Sequence, residues 1–229
     1  MVIMFVVFTS LGVGLIGEKT IVSSDMYTQY VAYFGKFKDI LSGDGSIFYS
    51  FNKSIGGNNI GLFAYYLASP LNLLLILFPK SAIGEFIFII YLIKIGLASL
   101  CFSLYISKVY KKKDLFVVIF SLCYALMSYN ICFQMNIMWM DGMMLLPLVA
   151  LGIEEIILKG KYKLYMIVLF MVVVSNYYIG YMICIFSVVY FFYKSIIYKK
   201  ISLPRTFKFF GASFITGGLA SFLLIPVLL

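Results

Sequence analysis

The chain has nine acidic residues and no histidine. Acid–base chemistry therefore falls to carboxylates, since the commonest general base and metal ligand is missing. Asp25 is the first candidate. Gln29 lies one helical turn on and can face the same point. A carboxylate at a lipid–water boundary suits a general base, because partial loss of water favours its protonated form. The same Asp25 also suits a helix N-cap, and spacing alone favours the cap. Asp141 follows Asn136-Ile137-Met138-Trp139-Met140. It can cap the run that starts at Gly142, which spacing favours, or serve base catalysis or metal binding beside Asp25. No fixed ligand spacing assigns a metal or cofactor, and a divalent cation stays open.

Amide and aromatic residues recur together. Tyr65 and Tyr66 follow Asn58 and Asn59, and Asn176 precedes Tyr177, Tyr178 and Tyr181. Aromatic faces with amide hydrogen bonds beside them bind sugars, although tyrosine is also common at membrane interfaces. Lys36, Lys38 and Lys53 can counter a lipid phosphate or simply be solvated. Lys94 lies inside an apolar run. A cation there is costly and is a functional candidate by default, unless its stem carries the charge out to the interface.

The elements that position these residues follow from composition. Of 229 residues, 63% are hydrophobic and 12% charged, against about 25% charged in a soluble domain. A chain this short has too little interior for so much apolar surface, so lipid is the expected solvent and a soluble enzyme is excluded. Unbroken apolar runs such as 86–106 point to helices rather than to the alternation of a barrel. The net charge of +9 sits in short loops, which implies anionic lipid rather than nucleic acid as partner. The four cysteines show no CxxC spacing, so neither disulfides nor a metal cluster is expected.

The reading is an all-α integral membrane protein of about seven transmembrane helices. Spans are expected at 1–16, 84–107, 114–129, 142–158, 164–176, 179–196 and 207–229. Residues 17–82 form a long outer loop with interfacial or re-entrant helices. Within it, Met26, Tyr30, Phe34, Phe37 and Leu41 share one face of an amphipathic helix. Ser69-Pro70 interrupts the apolar run 62–78; reading that run as re-entrant rather than spanning makes the later loops agree with the positive-inside rule. The clusters at Lys108–Lys113, Lys159–Lys163 and Lys194–Lys208 then lie in the cytosol with the N-terminus. Asp25, Asp141 and Asn176 lie together on the outer face.

Several blocks in order resemble the YfhO family of bacterial multi-span membrane proteins. They are Asp25-x-x-x-Gln29-Tyr30, Phe63-Ala64-Tyr65-Tyr66-Leu67-Ala68-Ser69-Pro70-Leu71-Asn72, Asn136 to Asp141, Leu146-Pro147-Leu148, Gly152-Ile153-Glu154, and Ser175-Asn176-Tyr177-Tyr178-Ile179-Gly180-Tyr181-Met182. The resemblance implies a GT-C-like glycosyltransferase bundle. Such enzymes take a sugar from a polyprenyl-phosphate carrier on the outer leaflet and pass it to a cell-wall polymer such as lipoteichoic acid. It also implies an acidic catalytic residue near the start of the first outer loop, a place that Asp25 matches. The substrate-binding set would be Gln29, Lys53, Tyr65, Tyr66, Asn136, Asp141, Asn176 and Tyr177. Family members are several times longer, so the chain is expected to be an N-terminal portion of a longer enzyme in the bacterial cell membrane. A lipid or polymer transporter, or a non-catalytic remnant, are the other readings.

Overall fold

The computed structural model describes residues 1–51 and 56–228. Among the described residues the regular structure is helical apart from a two-residue antiparallel hairpin, in which Tyr49–Ser50 pairs with Gly57–Asn58, and an isolated bridge between Val13 and Lys19. Helix α1 is Val2–Ser10 and α2 is Val31–Leu41, the latter entered through a wide turn at Met26–Tyr30. Helix α3 covers Ile60–Leu67 and is followed by a 3₁₀ helix at Pro70–Leu77. Then come α4 (Ile83–Tyr110), α5 (Leu115–Ala125), α6 (Ser128–Cys132), α7 (Met140–Lys159), α8 (Lys163–Ser175), α9 (Tyr177–Ile197), α10 (Leu203–Leu219) and α11 (Ser221–Leu228).

Among the described residues, three helical stretches are long and apolar enough to cross a membrane: Lys80–Tyr110, Leu115–Cys132 and Tyr177–Ile197. The number rises to five if each of two sharply bent pairs counts as one span. The seven expected spans are therefore not all present as continuous apolar helices. The shortfall has physical causes. Helix α1 stops at Ser10 rather than 16, because Gly12 turns into the left-handed region (φ +70°). The chain then folds back so tightly that a Cβ on Gly17 would run into the Gly12 carbonyl. Nine residues give only about 14 Å of helix. Helix α8 gives about 20 Å for 13 residues, and α7 carries Asp141, Glu154 and Glu155.

Helices α4, α7 and α9 run in the same direction. Lys94 of α4 meets Asp141 in the first turn of α7, and Lys194 near the end of α9 meets Glu154 near the end of α7. Helices α5 and α8 return. One end of the bundle thus gathers the loop residues before α4 together with Asn136, Asp141 and Asn176, and the other gathers the lysine clusters. Helix α7 lies centrally, with Val149, Ile153, Ile156 and Ile157 at 0% exposure. Small residues let its neighbours approach: a Cβ on Gly152 would lie 2.7 Å from the Tyr165 backbone of α8. Pro147 has no N–H for the Met143 carbonyl one turn back, and the Tyr124 hydroxyl of α5 donates to that oxygen at 2.6 Å. The outward faces of α5 and α9 are apolar, with Leu115, Val118, Ile119, Ile185, Val189 and Ile196 exposed, as lipid contact requires.

Candidate functional site

Asp25 begins the wide turn that leads into α2. The residue before it, Ser24, is held at φ +50°, a conformation costly for a side-chain-bearing residue. The Ser24 carbonyl accepts from the Tyr27 and Thr28 amides, which fixes the turn. Asp25 itself is exposed and makes no side-chain cap hydrogen bond. The N-cap bond that spacing favoured is thus absent. Nor does Asp25 have an ion pair among the described residues. Among the described residues its carboxylate has no partner.

The other face of this turn anchors it. Met26, Tyr30, Phe34 and Phe37 are buried, on the face the periodicity predicts, and Leu41 is half-buried. Phe34 packs edge-on against Phe86 of α4 at 5.3 Å. The Tyr30 hydroxyl donates to Asn136 Oδ1 at 3.1 Å. Burial pushes that hydroxyl well above the usual tyrosine range, and the neighbouring Tyr66 and then the Asp25 charge push it further. Asp25, Tyr30, Tyr66 and Asn136 are therefore one electrostatic neighbourhood. Gln29 is half-buried on the same turn.

A belt of aromatic rings extends from there. Tyr66 packs against Tyr30 (5.3 Å), Tyr33 (4.8 Å) and Tyr65 (4.7 Å). Tyr65 reaches Tyr177 (5.9 Å) and Tyr178 (6.1 Å). Trp139 Nε1 donates to the Tyr65 hydroxyl at 3.1 Å. Asn176 is buried and occupied on both ends: its Oδ1 caps α9 by accepting from the Ile179 amide, and its Nδ2 donates to the Tyr65 carbonyl. Of the sequence-derived set, Tyr65, Tyr66, Asn136, Asn176 and Tyr177 are thus brought together. Asn176 serves as the fastener of the belt rather than as a free ligand.

Asp141 has a different place. Its carboxylate is 1% exposed, takes Lys94 Nζ at 2.6 Å on Oδ2 and the Ser69 hydroxyl at 2.8 Å on Oδ1. Lys94 also donates to the Ile137 carbonyl. Asp141 is therefore held inside the protein with a partner on each oxygen. It still sits in the first turn of α7, where a negative charge is favoured by the helix dipole. Lys94 pairs within the bundle and does not reach out to the interface. Ser69 lies at the break between α3 and the 3₁₀ helix, where the chain bends by 87° in a broken span or re-entrant turn. Asn72 Nδ2 donates back to the Leu67 carbonyl across the bend. Lys38 donates to the Leu75 and Ile76 carbonyls at its far end, so it is engaged there rather than free for a phosphate. Lys53 lies outside the described residues. Among the described residues no group of three His, Cys, Asp or Glu side chains is placed to hold a metal.

Sequence reasoning singled out Lys94 and Asp141 separately and did not join them. Apart from their place in the family blocks, Tyr30 figures there as part of an apolar face and Ser69 as a helix breaker. The available signal was that a lone cation in an apolar run needs an anionic partner.

The family model for the bacterial membrane protein YfhO matches residues 1–229. The chain belongs to the YfhO family. Comparison with curated proteins and with solved structures finds no match. The YfhO assignment agrees with the helical, apolar-faced bundle, and the motif blocks of the sequence fall on the parts just described. Tyr65-Tyr66 and Ser69-Pro70 build the belt and the bend, Asn136 to Asp141 link belt to ion pair, and Asn176-Tyr177-Tyr178 close the belt from α9.

Proposed function

We propose that this YfhO-family chain carries the site of a GT-C-type glycosyltransferase that moves a sugar from a polyprenyl-phosphate carrier to an extracytoplasmic cell-wall polymer such as lipoteichoic acid. The observation that carries this reading is the free carboxylate of Asp25. It is exposed, makes no cap hydrogen bond, has no ion pair among the described residues, is set by a strained Ser24, and stands near Tyr30 and Tyr66 of the belt. Asp25 takes the proton from an acceptor hydroxyl. That oxygen forms a bond to the anomeric carbon as the bond from that carbon to the carrier phosphate oxygen breaks. The electron pair leaves with the phosphate and the sugar inverts. Tyr65, Tyr66 and Tyr177 supply aromatic faces for the sugar. Gln29 and Asn136 flank the acceptor, and Lys53 or a divalent cation would offset charge on the leaving phosphate. Asn176 and Asp141 act at one remove, by holding the belt and the bend.

The test is transfer in proteoliposomes containing the full-length protein, a radiolabelled polyprenyl-phosphate sugar and the acceptor polymer. The reading predicts label covalently joined to the polymer. Donor and acceptor that change sides of the membrane but stay chemically unchanged would replace it with a transporter. No change of either kind would mark the chain as non-catalytic.

A further inference from the structure

Trp139 is the only tryptophan of the chain. Its ring lies against Phe133 (6.3 Å) and Tyr178 (6.4 Å), and its Nε1 donates to the Tyr65 hydroxyl at 3.1 Å. An indole N–H can only donate, so the sense of this bond is fixed. The Tyr65 oxygen accepts, and its own proton must point elsewhere. Among the described residues that proton has no acceptor.

The rest of Tyr65 is held. Its carbonyl accepts from Asn176 Nδ2 at 2.8 Å. Its ring packs against Tyr66 (4.7 Å), Tyr177 (5.9 Å) and Tyr178 (6.1 Å). The residue is half-buried rather than sealed. A hydroxyl fixed in this way is a preorganised donor for a group outside the belt.

The place of Tyr65 relative to Asp25 names that group. The belt runs from Tyr30, on the turn that Asp25 begins, to Tyr66 at 5.3 Å and on to Tyr65 at 4.7 Å. Inversion sets the base and the leaving group on opposite faces of the sugar, and the groups that serve those faces stand about 6.5–9.5 Å apart. A sugar over Tyr66, with its acceptor at Asp25, turns its leaving oxygen toward Tyr65. That oxygen belongs to a phosphate, which only accepts hydrogen bonds and gains negative charge as its bond to the sugar breaks.

We propose that the Tyr65 hydroxyl donates to the carrier phosphate as it leaves the sugar, and that Trp139 is the positioning residue that fixes this hydroxyl as a donor. The inference rests on the sugar-transfer reading. Tyr65 keeps its proton and the phosphate departs as the anion. The hydrogen bond therefore strengthens in the transition state and lowers the barrier, rather than only holding the substrate.

The experiment has two arms, both on the full-length protein. In the first, native mass spectrometry measures binding of polyprenyl phosphate and of uncharged polyprenol, without turnover. Tyr65→Phe keeps the ring and the carbonyl bond to Asn176. It should bind polyprenyl phosphate about fivefold or more weaker and polyprenol as the wild type does. Equal loss for both lipids, or loss for neither, would overturn the contact with phosphate. In the second arm, transfer in proteoliposomes is measured at varied donor concentration. Tyr65→Phe should lower kcat about tenfold or more, with KM changed much less. Trp139→Phe should lower kcat about threefold or more, and should add nothing once Tyr65→Phe is present. A raised KM at unchanged kcat would overturn the leaving-group role in favour of a sugar hydroxyl. A further loss from Trp139→Phe in the double variant would overturn its action through Tyr65. A wild type that transfers nothing would overturn the sugar-transfer reading and the leaving-group role with it, whereas failure of these variants to respond beside an active wild type would overturn the roles of Tyr65 and Trp139 alone.

Discussion

Lys94 Nζ lies 2.6 Å from Asp141 Oδ2, and both side chains are 1% exposed. The pair joins α4 to α7, and through Ser69 it joins both to the bend that presents Tyr65 and Tyr66. Removing one partner leaves a buried charge uncompensated, which costs about 3–5 kcal/mol. Lys94→Met should therefore destabilise the protein severely in denaturant unfolding. Lys94→Met combined with Asp141→Leu should recover most of that loss, since an apolar pair of similar volume is often neutral. A double variant as unstable as the sum of its singles would contradict the pairing.

Tyr124→Phe removes the donor to the Met143 carbonyl while keeping the ring stacked on Phe102 at 4.4 Å. The carbonyl that Pro147 leaves open would then be unpaired, at a cost of about 1–3 kcal/mol. Thermal unfolding in detergent measures it. Tyr124→Phe with Pro147→Ala should be milder than Tyr124→Phe alone, because the helix can then satisfy Met143 itself.

Gly152 and Gly211 should respond oppositely to alanine. At Gly152 the new methyl meets backbone atoms of Tyr165 at 2.7 Å, and backbone does not yield as a flexible side chain would. Overpacking of about 1–3 kcal/mol outweighs the helix preference of about 1 kcal/mol for alanine over glycine. At Gly211 nothing lies within 4 Å, so alanine should be neutral or stabilising. Unfolding midpoints of the two variants decide the matter.

Asn176 caps α9 and ties it to Tyr65. Asn176→Ser keeps a cap acceptor and loses the amide donor, while Asn176→Ala loses both. Stability should fall in the order Asn, Ser, Ala, with the cap itself worth about 1 kcal/mol. The intrinsic fluorescence of Trp139, which touches the same belt, should shift in the alanine variant even where the protein stays folded.

Local periodicity carried much of the fold. The buried face Met26, Tyr30, Phe34 and Phe37 recurs at helical spacing, and the break at Ser69-Pro70 follows from proline chemistry. Asp25 stood out because it opens the amphipathic helix that follows the first apolar run. Contacts between distant helices were not legible in this way. Lys94 and Asp141 are 47 residues apart and Tyr30 and Asn136 are 106 apart, and no one-dimensional pattern records which faces meet. The count of spans rested on run lengths and on the placement of lysines, which cannot show that Gly12 ends a helix or that buried ion pairs let the charged α7 sit at the centre of the bundle.

In the proposed reaction the carboxylate of Asp25 accepts a proton during sugar transfer. The direct measurement is the rate of transfer to the polymer by full-length Asp25→Asn protein, compared with wild type at equal membrane abundance and equal unfolding midpoint. A general base contributes about 10²–10⁴-fold, so transfer should fall at least about a hundredfold with the fold intact. A variant that transfers sugar at the wild-type rate would remove Asp25 from the chemistry and the proposed mechanism with it.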